Sequence, residues 1–278
     1  MTTVRPLGAR DLTAALELAG RHPVDNVLVL AKMRSSGLEP KLVGHPILGA
    51  FDPDGRLAGL LSQSISLTPV ELAAPLAAAV ARRLGPTRRA GSLAGPRDSV
   101  VALWSELVRL SPGQWGRPRD FRDYQPLLVL DHDPDVPADP TVGPVGPNLA
   151  PAYYQAAVAM YSEEIGLSPV EATGSYRRHV EDLMRQGRTF GHWDGRQIVF
   201  KTDVAVASGP VCQLGGVWLH PEWRGRGLSA PALSAVVRAC RRRWPIVSLY
   251  VNQHNQVARA LYRRLGFVQA GEFATVLW

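Results

Sequence analysis

The chain repeats one pattern twice, on either side of a proline-rich stretch at residues 133–147. TVRPLGARDLTAALEL, from Thr3, and TVGPVGPNLAPAYYQA, from Thr141, each combine an extended start, a turn and a helix of periodic apolar residues. Proline-rich composition suits a connector better than a helix or a central strand. At 278 residues the chain is long enough for two compact units, and the repetition predicts a duplicated fold.

The two copies differ where a strand-like run meets a pair of prolines before a helix. Pro69 and Pro75 are six residues apart in the first copy, whereas Pro221 and Pro231 are ten apart in the second. The additional residues of the second copy include the segment RGRG. If this segment forms a ligand site, only the C-terminal half of the chain should bind the ligand.

Apolar periodicity and turn residues in the C-terminal half predict a mixed α/β domain. The predicted helices cover residues 151–160, 169–185, 229–244 and 256–265, and the predicted strands cover 189–193, 197–207, 211–219 and 246–251, followed by a strand pair in FVQAGEFATVLW.

Composition narrows the classes of partner. A formal net charge of +7 favours an anionic partner, which leaves nucleic acid, a phosphorylated cofactor or an acidic substrate open. No RNA-recognition, zinc-finger or helix-turn-helix signature accompanies the charge, so nucleic acid is not the expected partner. Cys212 and Cys240 fit neither a disulfide framework nor a metal pattern, so we expect two buried thiols and no metal.

No segment of the sequence indicates a membrane. The longest apolar stretch, residues 72–81, is far shorter than the ~18 residues that a membrane span needs. MTTVRPLGARDL lacks the basic and apolar regions of a secretory signal, so we expect a cytoplasmic protein.

The segment WLHPEWRGRGLSAPA places a glycine-bearing loop between a strand and a helix. Such a loop can turn several backbone N–H groups towards one point, where the helix dipole adds partial positive charge. Arg224 and Arg226 can add charge-assisted hydrogen bonds, and Gly225 and Gly227 allow backbone conformations that other residues disfavour. The loop lacks the P-loop pattern. It therefore predicts a phosphate site of another kind, against the alternative of a tight turn with exposed arginines.

Two motifs in this half resemble the GNAT superfamily of acyl-CoA N-acyltransferases. The family's loop pattern, Arg/Gln-x-x-Gly-x-Gly/Ala, is met by Arg224 and Gly227, with Ser229 as a small departure at the last position. The second block, LYVNQHNQVARALYRRLGF, matches the family at the following positions: Asn255, Ala258, Tyr262, Gly266 and Phe267.

The resemblance implies a tandem arrangement of two GNAT-like mixed-sheet α/β domains, of which the first is degenerate. Residues 1–132 would form the degenerate domain, 133–140 a proline-rich linker and 141–278 the catalytic domain. The implied cofactor is acetyl-CoA, acting as acyl donor, and the implied partner is an amine acceptor.

The resemblance also implies how acetyl-CoA would be held. The strand before the loop would diverge from its neighbour so that pantetheine pairs with backbone groups, here those of Val217 and Leu219. Gly215 and Gly216 suit a bulge in that strand. Asn255 would bond the pantetheine arm. The pyrophosphate would bind the amides of the loop, which are those of Arg224, Gly225, Arg226, Gly227, Leu228 and Ser229.

The implied chemistry is direct attack of a primary amine on the thioester, with positioning supplying much of the rate enhancement. Tyr262 matches the family's general acid, although its helical spacing also suits a core aromatic residue. In the first half the corresponding residue is Trp104, whose indole cannot serve as this acid. The strand VCQLGGVW has no carboxylate to act as base. Glu163 and Glu164 lie where the family lines its acceptor pocket, or else in a solvated loop.

Four functional hypotheses follow. The first is acetyl transfer from acetyl-CoA to a small-molecule or protein amine. The second is a tandem acetyltransferase that resembles mycothiol synthase and acetylates a cysteinyl glycoside. The third is a non-catalytic, CoA-binding regulatory protein, and the fourth, which the two ordered motifs disfavour, is a basic nucleic-acid-binding protein whose affinity falls steeply with salt.

Overall fold

A computed structural model describes residues 2–39, 45–64, 66–170 and 173–278. Its α-helices are α1 (Leu12–Gly20), α2 (Val27–Ser36), α3 (Ala74–Leu84), α4 (Arg97–Leu110), α5 (Pro112–Trp115), α6 (Ala150–Ile165), α7 (Ser175–Arg185), α8 (Ser229–Arg241) and α9 (Gln256–Arg264). Its strands are β1 (Thr3–Pro6), β2 (Leu48–Phe51), β3 (Leu57–Gln63), β4 (Ser66–Val70), β5 (Ser92–Pro96), β6 (Asp120–Leu130), β7 (Gly143–Pro144), β8 (Thr189–Trp193), β9 (Ile198–Ser208), β10 (Val211–Leu219), β11 (Ile246–Tyr250) and β12 (Val268–Leu277).

The chain forms two compact units that are not continuous in sequence. The first comprises Met1–Leu128, Tyr250–Asn255 and Gln269–Trp278, and the second comprises Val129–Leu249 and Gln256–Val268. Two short segments from the C-terminal end of the chain therefore belong to the same unit as the N-terminal half.

In the second unit, strands β7 to β10 pair in sequence order and antiparallel, and β11 then pairs parallel to β10. A parallel neighbour requires a crossover connection, which α8 provides. The buried face of α8 carries Leu233, Val236, Val237 and Cys240. This connection places the RGRG loop at the end of β10, directly before the helix.

In the first unit, β1 to β4 pair in sequence order and antiparallel, and β5 pairs parallel to β4. The last strand of the chain, β12, pairs antiparallel with β5, with Phe273 opposite Pro96 and Leu277 opposite Ser92. Ala274 and Val276 are consequently buried in the core of this unit. The N-terminal unit is thus completed by residues from the far end of the sequence.

Both copies share one order of elements, which confirms the predicted duplication. Each begins with a strand and two helices, continues through three antiparallel strands, and then has a helix, a parallel strand, a helical segment and a last strand. The connection between the third antiparallel strand and the next helix differs most. It contains three residues, 71–73, in the first copy and nine, 220–228, in the second.

Several predicted boundaries are wrong. Helix α6 continues to Ile165, where Gly166 ends it in a left-handed conformation, so Glu163 and Glu164 lie in its last turn and not in a loop. Helix α7 begins at Ser175 and not at residue 169; of the predicted start, residues 171–172 lie outside the described part of the chain. The predicted C-terminal strand pair is the single strand β12.

The proline-rich connector lies along α8. Asp133 accepts hydrogen bonds from Arg238 (3.0 Å) and Arg241, and Ser234 Oγ donates to the carbonyl of Val136 (2.6 Å). The backbone N–H of Asp139 donates to the carbonyl of Pro231 (3.0 Å). These bonds hold the connector against the helix that follows the RGRG loop.

Two further expectations concern burial and the membrane. Cys212 and Cys240 are free and buried, as predicted. Among the residues that the structure describes, no helix combines the length and apolar character that crossing a bilayer requires.

Candidate functional site

The loop between β10 and α8 has the backbone conformation expected of an anion-binding site. Gly225 and Gly227 have φ angles of +76° and +75°, a region that side chains with a Cβ disfavour. A Cβ atom at either position would meet nothing within 4 Å. The glycines are therefore required by the turn of the chain, and the space above them is open.

The amide groups of this loop differ in their hydrogen bonding: the N–H of Arg224 donates to the carbonyl of Pro221 (3.2 Å). Across the described ranges of the chain, no backbone hydrogen bond uses the N–H groups of residues 225–228. These N–H groups immediately precede the first turn of α8, where the helix dipole adds partial positive charge. Consecutive free N–H groups at a helix start form a binding site for phosphate-like anions.

A cleft of about 230 Å³ opens beside the loop. Gly227, Ser229 and Ala230 line one wall, and the facing wall belongs to α9 and carries Leu261 and Arg264. The motif analysis did not single out Arg264, because RALYRRLG shows a basic helix end but not which face meets the loop. The cleft adds a third arginine to the two of the loop.

Strands β10 and β11 diverge next to the loop. They pair only from Val211 opposite Ile246 to Gln213 opposite Ser248, although β10 continues for six more residues to Leu219. The gap that results is the opening that the family resemblance implied. Gln213, which is 8% exposed, lies where the pairing ends, and its buried Nε2 has no hydrogen-bond partner in the described structure.

The backbone groups of Val217 and Leu219 face away from β9. The N–H of His220 donates to the carbonyl of Val199 on β9 (2.8 Å), and Trp218 is in register with Lys201. Because N–H and C=O groups alternate in direction along a strand, those of Val217 and Leu219 point to the other side. An extended ligand in the gap could therefore pair with them.

Arg224 and Glu163 bridge the loop and α6. Arg224 Nη2 donates to Glu163 Oε2 (2.7 Å), and Arg224 Nε donates to the carbonyl of Leu219 (2.9 Å). The other oxygen of Glu163 accepts from the indole N–H of Trp218 (3.1 Å). The structure thus brings one predicted cofactor residue and one predicted substrate residue into direct contact. Arg226 instead stacks on Trp223, with its guanidinium carbon 5.3 Å from the ring centroid.

Tyr262 lies on the buried face of α9, 6% exposed, with its ring 5.9 Å from that of Phe267. Burial, and next the Glu164 carboxylate, raise the pKa of Tyr262 above its usual range. The hydroxyl is therefore protonated at neutral pH. Glu164 also contributes to a raised pKa of Tyr176 on α7, so its carboxylate lies in the field of both hydroxyls.

Asn255 directly precedes α9, and its backbone N–H donates to the carbonyl of Asn252 (3.0 Å). The first copy offers a contrast at the position of Tyr262. Trp104 on α4 donates its indole N–H to the carbonyl of Trp115 (2.9 Å) and packs on Phe121. With its one donor engaged, Trp104 has a structural role in the first unit.

The predicted bulge in β10 is present, since its register against β9 shifts between Gly215 and Trp218. Beside it lies a pair of charged side chains that the sequence analysis missed. Lys201 and Asp203 are two residues apart in IVFKTDVAV, with Thr202 between them, and charged residues at this spacing in a strand are typical of its solvent face. In the structure Lys201 is fully buried against α6.

These features together describe a mixed α/β domain in which a glycine-bearing loop, a cleft and a gap between two strands lie close together, an arrangement suited to an extended, phosphorylated ligand. The free amides of the loop would hold the charged end. The gap between β10 and β11 would hold an extended arm. The comparison with known families agrees with this class of protein.

Residues 154–267 match the family model described as acetyltransferase (GNAT) family, and residues 46–153 match a model described as domain of unknown function (DUF4081). The chain therefore carries a GNAT acetyltransferase domain in its C-terminal half. The matched range includes Arg224, Gly227 and Tyr262, so the two sequence motifs fall inside it. No curated protein sequence matches the chain.

Solved structures share the fold over the whole chain. An acetyltransferase from the GNAT family of Colwellia psychrerythraea superposes with a TM-score of 0.59 at 12% identity, covering 99% of both chains. A GCN5-related N-acetyltransferase from Sphaerobacter thermophilus gives 0.60 at 17% identity, covering 99% of this chain and 94% of its own. A tandem GNAT protein from the clavulanic acid biosynthesis pathway gives 0.55 at 18%, covering 100% and 98%. At these identities the likeness concerns the fold alone.

Proposed function

We propose that the C-terminal domain transfers an acetyl group from acetyl-CoA to a primary amine by direct attack. The observation that carries the proposal is the set of free amides at residues 225–228, placed at the start of α8 and beside a cleft. Membership of the domain in an acetyltransferase family supports acyl transfer as the chemistry. The identity of the acyl group and of the acceptor is part of the proposal.

The loop is proposed to hold the pyrophosphate of the cofactor. Amides from Gly225 to Ser229 would donate to phosphate oxygens, and the helix dipole would add to the attraction. The N–H of Arg224 is not part of this set, because it donates to the carbonyl of Pro221 (3.2 Å). Arg226 and Arg264 supply further positive charge at the loop and at the cleft wall. Arg224 contributes mainly to loop order, because its Nε and Nη2 are already engaged by Leu219 and Glu163.

The pantetheine arm is proposed to lie in the gap between β10 and β11, paired with the backbone groups of Val217 and Leu219. The carbonyl of Leu219 accepts a hydrogen bond from Arg224, which leaves the N–H of Leu219 for the ligand. Asn255, ahead of α9, is proposed to bond the same arm with its amide. In this arrangement the thioester would lie near the bulge at Gly215 and Gly216.

The reaction forms a bond between the amine nitrogen and the acyl carbon and breaks the bond from that carbon to sulfur. The departing thiolate needs a proton, and Tyr262 is proposed to donate it because its raised pKa keeps the hydroxyl protonated. Glu164 is proposed to attract the acceptor amine. Glu163 is less suited to this role, since both of its oxygens are bonded within the domain.

Calorimetric titration with acetyl-CoA tests the site. The wild type should bind at one site per chain, and Gly227→Glu, which places a carboxylate at the phosphate position, should weaken binding at least 100-fold. Gly195→Glu is a matched control, because Gly195 also has a positive φ (+97°) and open space around it, but lies in the turn between β8 and β9. Both variants should lose a similar stability, about 1–2 kcal/mol. The control should keep the wild-type Kd.

Two results would overturn the proposal. If the folded wild type bound no acetyl-CoA, the acyltransferase function would be excluded for this chain. If Gly227→Glu bound as tightly as the wild type, the cofactor would lie elsewhere. Binding without release of free CoA thiol across a panel of amines, including a cysteinyl glycoside, would favour a non-catalytic CoA-binding protein.

A further inference from the structure

A buried ion pair lies beside the bulge of β10. Lys201 Nζ donates to Asp203 Oδ2 (2.6 Å), and the hydroxyl of Tyr153 on α6 donates to Asp203 Oδ1 (2.7 Å). Lys201 has no exposed side-chain surface. Moving two charges out of water is unfavourable, and close pairing and further hydrogen bonds offset this cost only in part. Two hydrophobic side chains of similar volume would fill this space at a lower free-energy cost. Stability alone therefore does not explain the two charged residues.

The pair occupies space that Gly216 leaves open. Gly215 is in register with Asp203, and a Cβ atom at Gly216 would stand 3.0 Å from Lys201 Nζ and 3.4 Å from Asp203 Oδ2. A side chain at residue 216 would therefore displace the ion pair. As a result β9 delivers a carboxylate to the bulge, at the place where β10 itself has none.

Only one member of the cluster is within reach of a ligand. Tyr153 and Lys201 are fully buried, whereas the side chain of Asp203 keeps 13% of its surface exposed. Each carboxylate oxygen has one donor from the protein, which leaves lone pairs for a further hydrogen bond. A bound amine could contact Asp203 but not Lys201 or Tyr153.

We propose that Asp203 is the catalytic residue that takes the proton from the acceptor amine; this assignment rests on the proposed acetyl transfer. As the nitrogen bonds to the acyl carbon it gains positive charge, and one of its protons passes to Asp203. The carbon–sulfur bond then breaks, and the thiolate takes a proton from Tyr262. Asp203 later releases its proton to solvent, and Tyr262 regains one, so protons balance over a turnover.

Lys201 and Tyr153 are positioning residues in this scheme. Lys201 compensates the carboxylate charge in a buried setting, and Tyr153 fixes the second oxygen. Gly216 serves both by leaving room for the ammonium group. Replacing Tyr153 with Phe would keep the ring and the ion pair and remove one hydrogen bond.

The other titratable groups around Asp203 come from the two helices packed on this face. Tyr176 on α7 is close enough for the Asp203 carboxylate, after burial, to raise the pKa of its hydroxyl. Glu164 at the end of α6 lies in the field of Tyr176 as well. On β8 the residue in register with Asp203 is the uncharged Thr189. Lys201 is thus the cation that bonds Asp203 directly.

The experiment compares wild type, Asp203→Asn and the control Asp194→Asn, an equivalent exchange in the exposed turn between β8 and β9. Acetyl-CoA Kd, kcat, KM for one amine and the pH profile are measured for each. Asp203→Asn should bind acetyl-CoA like the wild type and lose at least 100-fold in kcat. The shape of the pH profile of kcat should differ between the wild type and Asp203→Asn, and it should be the same in the wild type and Asp194→Asn. The amine's own titration is common to all three proteins.

Each outcome decides the assignment. A folded Asp203→Asn with a rate within threefold of wild type and an unchanged pH profile overturns it. If this variant fails to fold because Lys201 is left unpaired, the double variant Lys201→Met/Asp203→Asn removes the buried cation; its loss of turnover with retained acetyl-CoA binding supports the assignment, and its activity overturns it. A wild type that binds acetyl-CoA but acetylates no amine refutes the proposed function itself, a failure visible before any variant is made.

Discussion

Arg224 and Glu163 are joined by a 2.7 Å ion pair that connects the loop between β10 and α8 to the last turn of α6. The loop end of the pair also bonds Leu219, and the helix end also bonds Trp218. Two residues that the sequence places in different roles, one at the cofactor and one at the acceptor, thus form one structural link. A substitution at either end of this ion pair should consequently change the position of both α6 and the loop.

Breaking this link should weaken cofactor binding more than it weakens the fold. Arg224→Ala removes both arginine contacts, and we expect the Kd for acetyl-CoA to rise about tenfold, or about 1.4 kcal/mol. The unfolding free energy should change by less than about 1 kcal/mol, because both side chains are nearly half exposed. Arg226→Ala is the control, because it also removes one positive charge from the loop but leaves the ion pair between Arg224 and Glu163 in place. Equal losses of affinity in the two variants would show that the bridge does not order the loop.

Tyr262→Phe should lower kcat by about 100-fold or more while leaving acetyl-CoA binding unchanged. Because the pKa of Tyr262 is raised, the hydroxyl stays protonated through pH 9 and the rate should show no alkaline loss from this group there. Steady-state kinetics and calorimetry measure the two effects. Tyr124→Phe, an exposed hydroxyl bonded to Gln269 in the first unit, is the control. Full activity in Tyr262→Phe would show that Tyr262 is a core aromatic residue and not the general acid.

The same pKa shift predicts how stability depends on alkaline pH. In the unfolded chain the pKa of a tyrosine is about 10, and in the folded protein the pKa of Tyr262 is higher. Above pH 10 the folded state therefore holds this proton more tightly than the unfolded state does. The unfolding free energy of the wild type should therefore fall as pH rises above 10. That of Tyr262→Phe should fall less steeply. Urea unfolding from pH 8 to 11 measures the difference. Parallel curves would contradict a buried, shifted hydroxyl.

The ion pair between Arg5 and Asp11 should make the stability of the protein depend on pH in the acidic range. Arg5 donates two hydrogen bonds to Asp11 (2.8 and 2.7 Å), and with the N–H of Gly8 they lower the pKa of Asp11 to about 2. The stabilisation is present above the unfolded pKa near 4 and is lost as pH falls towards 2. Since Arg5 is partly exposed, we expect about 1 kcal/mol. Asp11→Asn should remove this part of the acid dependence in urea unfolding at pH 7, 4 and 3, and an unchanged slope would contradict it.

The C-terminal half should not fold well alone. A fragment of residues 141–278 lacks β5, so β12 loses its partner, and Phe273, Ala274 and Val276 lose buried surroundings. It also lacks the connector that bonds α8. We expect aggregation or loss of near-ultraviolet circular dichroism, and recovery when residues 1–140 are coexpressed. A soluble, fully active fragment would refute the structural need for the first half.

Local patterns in the sequence predicted much of the second unit. The strands Thr189–Trp193 and Val211–Leu219 agree with the predicted bounds, because turn residues flank them. The end of α6 was missed since the helix signal of MYSEEIG is weak and its stop at Gly166 was not recognised. The partner of β12 was also missed, because pairing with β5 joins residues about 180 positions apart and leaves no local trace.

The sequence by itself determined the duplication, the loop whose glycines must adopt positive φ angles, and the two ordered motifs of the GNAT domain. Those features depend on residue type and spacing along the chain. Only the tertiary structure decided that Lys201 and Asp203 are buried beside Gly216, and that Arg224 bonds Glu163. From the sequence alone, all four charged side chains would be expected in solvent. The packing of α6 against β9 and β10 buries Lys201 and Asp203, and it brings Glu163 on α6 close to Arg224.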